Sequence, residues 1–429
     1  MKENYLHYIW RLGHFRQNDL KTTDGESILV QDLGQYNTDA GPDFLNARVR
    51  IGDIIWAGHV EMHISASEWH QHGHAGDSAY DNVILHVVMD EDAEILRSNG
   101  EKIPCLDLRP YLPEKMTGKY LRLMQSRGWV ACHAHFPHVN QLVKNLWIER
   151  LLVERLERKT NEINIILEAS QNDWESAFYR FLARSFGGKV NNDAFEMLAA
   201  NTPLSILGRH KNDLFQLEAI LFGQAGMLQE RFNDVHPRQL KREYEALQKK
   251  YLLLPIPKMV WKYLRLRPAN FPTIRLAQFA VLIHQSAHLF SKILEVTKLS
   301  DLVALFDIDV SAYWESRYQF DKKAHKVIRK MGKTTIYSLI INVIVPFVFL
   351  YGKKRDDSRL KKKAIGWLDE IPAEKNSLIQ GWENLGEKFE TAGKTQAFIQ
   401  LKTIYCNRQR CMECPIGNAV LNSPVLAEQ

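Results

Sequence analysis

Cysteine is scarce in this chain: five in 429 residues, at Cys105, Cys132, Cys406, Cys411 and Cys414. An odd count with three thiols crowded at one end is not a disulfide framework. The opening MKENYLHYIWRLGHF has charges and histidines among its apolar residues, unlike a signal peptide, so a reducing cytoplasm is expected. Long apolar runs are also lacking. The stretch from Ile336 to Tyr351 is almost uncharged but falls short of the roughly 20 residues a bilayer span needs, and it contains Asn342 and Pro346. It reads as a buried core helix kinked or broken near Pro346, with no membrane association. Strong charge of one sign is absent too: 56 Lys plus Arg against 50 Asp plus Glu leaves +6. This mild, interspersed excess permits a nucleic-acid partner without requiring one. Two Gly-Lys-Thr triplets, 332–334 and 393–395, lack the earlier glycine of a phosphate loop, since Val327 and Lys388 stand there. ATP is therefore not expected as a ligand.

What is present divides the chain. A length of 429 residues suggests two or three domains. Helical spacing runs from Tyr5 to Phe15, on Leu6, Ile9, Trp10 and Leu12. Ser27–Leu33, Phe44–Ile51, Ile54–Ser65 and Asn82–Met89 read as strands, the second and third joined by a tight turn at Gly52-Asp53. A short helix is predicted around Asp77–Asp81. From about residue 139 the pattern becomes helical, with Leu146–Ala169, Trp174–Phe186, Leu214–Leu228, Leu240–Tyr251 and Ile274–Val296 as the main segments. The expectation is an α+β protein: a mixed-sheet α/β domain over residues 1–138, a helical domain over 139–300, and a helical region with the cysteine cluster over 301–429.

Strand periodicity selects the candidate site. In Gly58-His-Val-Glu-Met-His-Ile64, the residues Val60, Met62 and Ile64 share one face, while His59, Glu61 and His63 share the other. A hairpin with the preceding strand brings Asp43 towards Glu61, and two such carboxylates suit a hard divalent cation, Mg²⁺ or Mn²⁺. Such an ion lowers the pKa of a bound water and neutralises charge on a phosphate. The order helix, three strands, helix, strand, with Pro42-Asp43 and Glu61-Met62-His63, resembles the PD-(D/E)xK, restriction-endonuclease-like fold. That resemblance implies catalytic roles for Asp43, Glu61 and His63, and DNA or RNA as partner. It departs from the pattern at His63, where lysine is usual. A neutral imidazole can orient water or act as base but carries no permanent charge, so restoring lysine is expected to preserve or raise cleavage.

The histidines that follow, His70, His72 and His74, with His59 and Asp77, are candidates for a supporting shell or for a His-rich Zn²⁺ site. At the other end, Cys406, Cys411 and Cys414 have metal-ligand spacing, with Cys132, His133 or His135 available as a fourth ligand. They suit structural Zn²⁺ or an iron–sulfur cluster. Some nuclease-fold domains of DNA-repair helicases offer an analogy, being clamped by a cluster that uses one remote cysteine. The RLRPANFPTIR segment, 265–275, reads as a rigid joint in which Arg265, Arg267 and Arg275 make structural contacts.

Several passages together, AGPDFLNARVRI (40–51), GHVEMHISASEWHQHGH (58–74), YDNVILHVV (80–88), LFGQAG (221–226), RLRPANFPTIRLAQ (265–278) and YCNRQRCMECPIG (405–417), resemble an uncharacterised, DUF2851-like bacterial family common in Bacteroidetes. The likeness spans essentially the whole chain and implies no chemistry. Three functions follow from the residues: a Mg²⁺-dependent nuclease-like protein, a non-catalytic nucleic-acid-binding or scaffold protein with a decayed site, and a His-rich zinc hydrolase.

Overall fold

The computed structural model describes residues 2–286, 288–323 and 330–423; Val327 lies outside them. Helix α1 covers Glu3–Arg11. The strands are β1 (Leu20–Lys21), β2 (Ser27–Asp32), β3 (Gln35–Tyr36), β4 (Phe44–Ile51), β5 (Ile54–Ser65), β6 (Val83–Asp90) and β7 (Cys105–Asp107). In β4 the alternation works as read: Ala47, Val49 and Ile51 are buried, while Asn46, Arg48 and Arg50 are exposed. Gly52, at φ +56°, turns the chain so that Ile51 pairs with Ile54.

From Val60 to His63 β5 is buried on both faces, Glu61 and His63 included. Strand alternation places Glu61 and His63 on the polar face, yet that face is enclosed here. The enclosure arises because β5 is an inner strand: β4 pairs on one side, parallel β6 on the other, and α1 packs against it. Gly58 permits the tight β5–β6 approach, since a Cβ there would stand 2.4 Å from Ile84 Cγ2 and 2.5 Å from the Asn82 carbonyl. The sheet runs β1-β2-β4-β5-β6-β7, antiparallel through β5 and parallel beyond, with β3 added to β4. Thr23 N donates to the Cys105 carbonyl at 2.9 Å, which draws the outer strands together and leaves the sheet nearly closed, barrel-like.

The connection between β5 and β6 holds no full helix. It contains a single turn, α2 (Glu68–Gln71), then 3₁₀ turns at His74–Gly76 and Ser78–Tyr80. Gly73, at φ +77°, breaks the first turn, and Asp77 caps the last by accepting from Ala79 N at 2.9 Å. The helix expected at 77–81 is thus only this capped turn. After β7 comes α3 (Glu114–Gln125).

The chain divides into two compact units: residues 1–147 with 384–386 and 401–429, and residues 148–383 with 387–400. Position 300 lies inside the second unit, and the C-terminal stretch belongs to the first. The helical segments include α4 (Gln141–Ala169), α5 (Trp174–Phe186), α6 (Gly188–Asn201), α7 (Leu204–Arg209), α8 (Leu214–Gln224), α9 (Val235–Tyr251) and α10 (Pro272–Gln285). The segment Lys333–Lys354 is one helix long and apolar enough to cross a membrane, and it is largely buried in the core of the second unit. It stays continuous through a π turn at Ile340–Ile344, which absorbs Pro346 without a break. Arg275 is interior: it donates to Asn270 Oδ1 at 2.7 Å, Gln278 Oε1 at 3.0 Å and Thr335 Oγ1 at 3.1 Å. Burial pulls its pKa down to about 10.

Candidate functional site

The antiparallel pairing of Phe44 with Val60 puts Asp43, the residue just before β4, across from Glu61. The two acids interlock through the backbone. Asp43 N donates to Glu61 Oε2 at 3.1 Å, and Met62 N donates to Asp43 Oδ2 at 3.0 Å. Glu61 turns its other oxygen elsewhere, whereas Asp43 shares one oxygen between two partners. Glu61 Oε1 lies 3.2 Å from His74 Nε2 and 3.8 Å from His63 Nε2. Asp43 Oδ2 lies 3.2 Å from His7 Nε2, which is also 3.4 Å from Glu3 Oε1.

Glu3 and His7 had not been singled out in the sequence. They are four residues apart on α1 and so share a helix face, and α1 packs against β5. The signal was present as this spacing beside the apolar stripe that marks the helix. His86, on β6 opposite Glu61, also joins the site: His63 Nδ1 and His86 Nε2 are 2.8 Å apart, and His63 Nε2 is 3.1 Å from His72 Nδ1. Trp69 closes this group, its ring 5.4 Å from those of His74 and His86.

Two sets of donor atoms result. Within each, one atom per side chain lies within 4.8 Å of the others: Glu3, His7 and Asp43 in one, His63, His72 and His74 in the other. Glu61 adjoins both. Of the remaining candidates, His59 Nδ1 accepts from Asn46 N at 3.2 Å, in the bulge where β4 slips register, and so is engaged away from the cluster. His70 is exposed on α2, and Asp77 serves as the turn cap.

The electrostatics follow from enclosure. Burial, then the charge of Asp43, pushes the Glu61 carboxyl well above the ordinary range. Burial lowers His63 to about 3, with His86 adding to the effect, and lowers His86 to about 3 as well. Both rings are therefore neutral at physiological pH, and His63 is not poised near neutrality as a proton acceptor. For His7 burial opposes charge, but the neighbouring Asp43 and Glu3 carboxylates prevail and raise it to about 9. The buried Nε2 atoms of His7 and His74 nonetheless lack well-aligned hydrogen bonds, despite carboxylate oxygens at 3.2 Å. The His7 contacts are ion pairs, whereas His74 and Glu61, both pushed towards their neutral forms by burial, meet as a polar contact.

The three predicted cysteine ligands lie apart from this site in sequence but in the same unit, with Cys132 beside them.

The fold and site thus define an α+β protein with a buried carboxylate–histidine cluster at the heart of its sheet. Residues 3–377 match the family described as Protein of unknown function (DUF2851), and the chain belongs to that family. No curated protein matches it. No solved structure matches it either.

Proposed function

We propose that the protein is a metal-dependent hydrolase of nucleic-acid phosphodiesters, with Asp43 and Glu61 as its central metal-holding pair. The observation that carries this reading is the joining of Glu3, His7 and Asp43 within 4.8 Å, with Glu61 interlocked across the ladder. The donor set fits a divalent ion. Three carboxylates and an imidazole suit Mn²⁺ well and Mg²⁺ through its carboxylate oxygens. The unaligned nitrogen of His7 faces the same space as the oxygens of Asp43 and Glu3. A Mg²⁺ or Mn²⁺ bound there supplies a water of lowered pKa and offsets charge on a phosphate oxygen. In the metal-free protein the proton on His7 provides the positive charge between Asp43 and Glu3. Neutral His63, held between His86 and His72, positions Glu61 and His74 and excludes water from behind them. The resemblance to the PD-(D/E)xK fold, carried by Pro42-Asp43 and Glu61-Met62-His63, supplies the substrate class.

A second reading has its own observation. His63, His72 and His74 also converge within 4.8 Å beside Glu61, a donor set suited to Zn²⁺ and to hydrolysis of another substrate. One experiment separates the readings. Purified protein is incubated with single- and double-stranded DNA and RNA in Mg²⁺, Mn²⁺ or Zn²⁺, with EDTA controls. Cleavage in Mg²⁺ or Mn²⁺ that EDTA stops and Asp43→Ala abolishes is expected. Binding without cleavage under every ion would make this a nucleic-acid-binding protein with a decayed site. Cleavage that persists in Asp43→Ala would remove the assignment of the site.

A further inference from the structure

All five cysteines lie in the first unit, none is in a disulfide, and four of them, Cys132, Cys406, Cys411 and Cys414, come together there. Cys132, Cys411 and Cys414 all lie within electrostatic range of Cys406, and Cys411 and Cys414 within that of Cys132, so the four sulfurs share one neighbourhood. Cys132, Cys411 and Cys414 are buried, and Cys406 is half-buried. Burial first, and then the neighbouring thiols, pushes Cys132 and Cys411 up to about 12. Four reduced thiols gathered with no bridge among them are a ready set of sulfur ligands.

The backbone is shaped to bring the sulfurs together. Cys406 ends a π turn, Leu401–Cys406, a form frequent at functional sites, and Cys411 opens a 3₁₀ turn, Cys411–Glu413, that connects it to the last helix. A helix follows at Pro415–Asn422, with Cys414 at its N-cap. Gly417 lets that helix close on the preceding turn, since a Cβ there would stand 2.2 Å from the Cys411 carbonyl oxygen. Lys402 Nζ donates to the Trp129 carbonyl at 2.7 Å, tying the segment before Cys406 to the one before Cys132. Burial raises the Cys414 thiol, and the nearby backbone N–H groups of Ile416 and Gly417, at the start of that helix, act against the rise. N–H donors aimed at a sulfur stabilise a thiolate and are among the means by which proteins tune thiolate-bound metal clusters.

We propose that Cys132, Cys406, Cys411 and Cys414 ligate an iron–sulfur cluster, with Cys132 as the remote fourth ligand. Spacing selects the cluster over a single ion. A tetrahedral zinc about 2.3 Å from each sulfur holds the sulfurs within about 4 Å of one another. Among the described residues, the groups of three or more donors within 4.8 Å are the two carboxylate–histidine sets, and no set of the thiols is one of them. A cubane attaches each thiolate to a different iron and holds the sulfurs wider apart. His133 is not required, its Nδ1 lying 3.3 Å from Ser126 Oγ.

The test uses the full chain purified anaerobically after expression with iron and cysteine supplied. Iron and acid-labile sulfide in equal amounts are expected, with broad visible absorption that bleaches on dithionite reduction. Cys132→Ser and Cys411→Ser should each lose most of the iron. Because these variants can fail to fold, the unaltered protein is also alkylated with iodoacetamide and mapped by mass spectrometry. Cys132, Cys406, Cys411 and Cys414 should be protected together as isolated, and become reactive together after ferricyanide and EDTA treatment. One zinc per chain with no visible absorption would overturn the iron–sulfur assignment. Metal-free protein with independently reactive thiols would overturn the site. Full iron loading in folded Cys132→Ser would overturn the fourth ligand.

Discussion

His7 Nε2 stands 3.2 Å from Asp43 Oδ2, joining the first helix to the start of β4. Removing this imidazole leaves both acids in place but takes away one donor and the group that orients them. His7→Ala should weaken Mn²⁺ binding on the order of 10–100-fold, the range seen when a group supporting a metal site is lost. Isothermal titration of the purified variant measures this. Unchanged affinity would exclude His7 from the site.

The helical unit offers a prediction that depends on packing alone. Gly223 in α8 faces α9, and a Cβ there would lie 2.1 Å from the Tyr244 ring. Alanine favours a helix over glycine by up to about 1 kcal/mol, but overpacking a filled core costs roughly 1–3 kcal/mol. The Tyr244 hydroxyl also donates to the Gln224 side-chain oxygen at 2.9 Å, which restrains the ring from moving aside. Gly223→Ala should therefore lower stability in urea denaturation. A variant as stable as the parent would mean that α8 and α9 separate readily.

Particular elements show what the sequence could and could not convey. The β4–β5 hairpin was legible because alternation and the Gly52-Asp53 turn specify its register locally, and with it the facing of Asp43 and Glu61. The α5 boundaries also matched, with Asp173 capping the first turn through Glu175 N and Ser176 N. The burial of His63 was not legible, because it depends on β6 and the 68–80 connection closing over β5, contacts distant from the strand's own pattern. Glu3 and His7 were hidden for the same reason: a helix face acquires meaning only once its packing partner is known. The return of residues 401–423 to the first unit likewise has no local signature, although the spacing of their cysteines suggested a shared purpose.

The enclosure of His63 reverses one expectation. Lysine at this position would match the resembled nuclease pattern, yet the His63 ring is fully buried, about 5 Å from the rings of His72, His74 and His86. An ammonium there loses its hydration, and Glu61 alone must compensate. His63→Lys should destabilise the protein by roughly 2–4 kcal/mol and should not raise cleavage. Chemical denaturation and the nuclease assay run together decide this. A stable, more active variant would show that the pocket accepts a cation and that His63 stands in for lysine.

Glu61 provides the sharpest separation of stability from function. Its carboxylate is buried beside Asp43, and both burial and that neighbouring charge disfavour ionisation. In the metal-free protein this crowding is a cost of folding that a bound cation would relieve. Glutamine keeps the shape and an oxygen able to accept from Asp43 N, but carries no charge. Glu61→Gln should accordingly raise the stability of the EDTA-treated protein at neutral pH, by about 1–2 kcal/mol, because the parent must take up a proton on this carboxyl when it folds and glutamine need not. The same variant should lose most of the rise in Tm that Mn²⁺ gives the parent, since one ligand is weakened and the repulsion to be relieved is gone. Thermal unfolding with and without Mn²⁺ gives both numbers in one series. A variant less stable than the parent in EDTA would mean that Glu61 serves the fold as a structural hydrogen-bond acceptor. An undiminished Mn²⁺ response would mean that the ion binds elsewhere, and either result would remove Glu61 from the proposed centre.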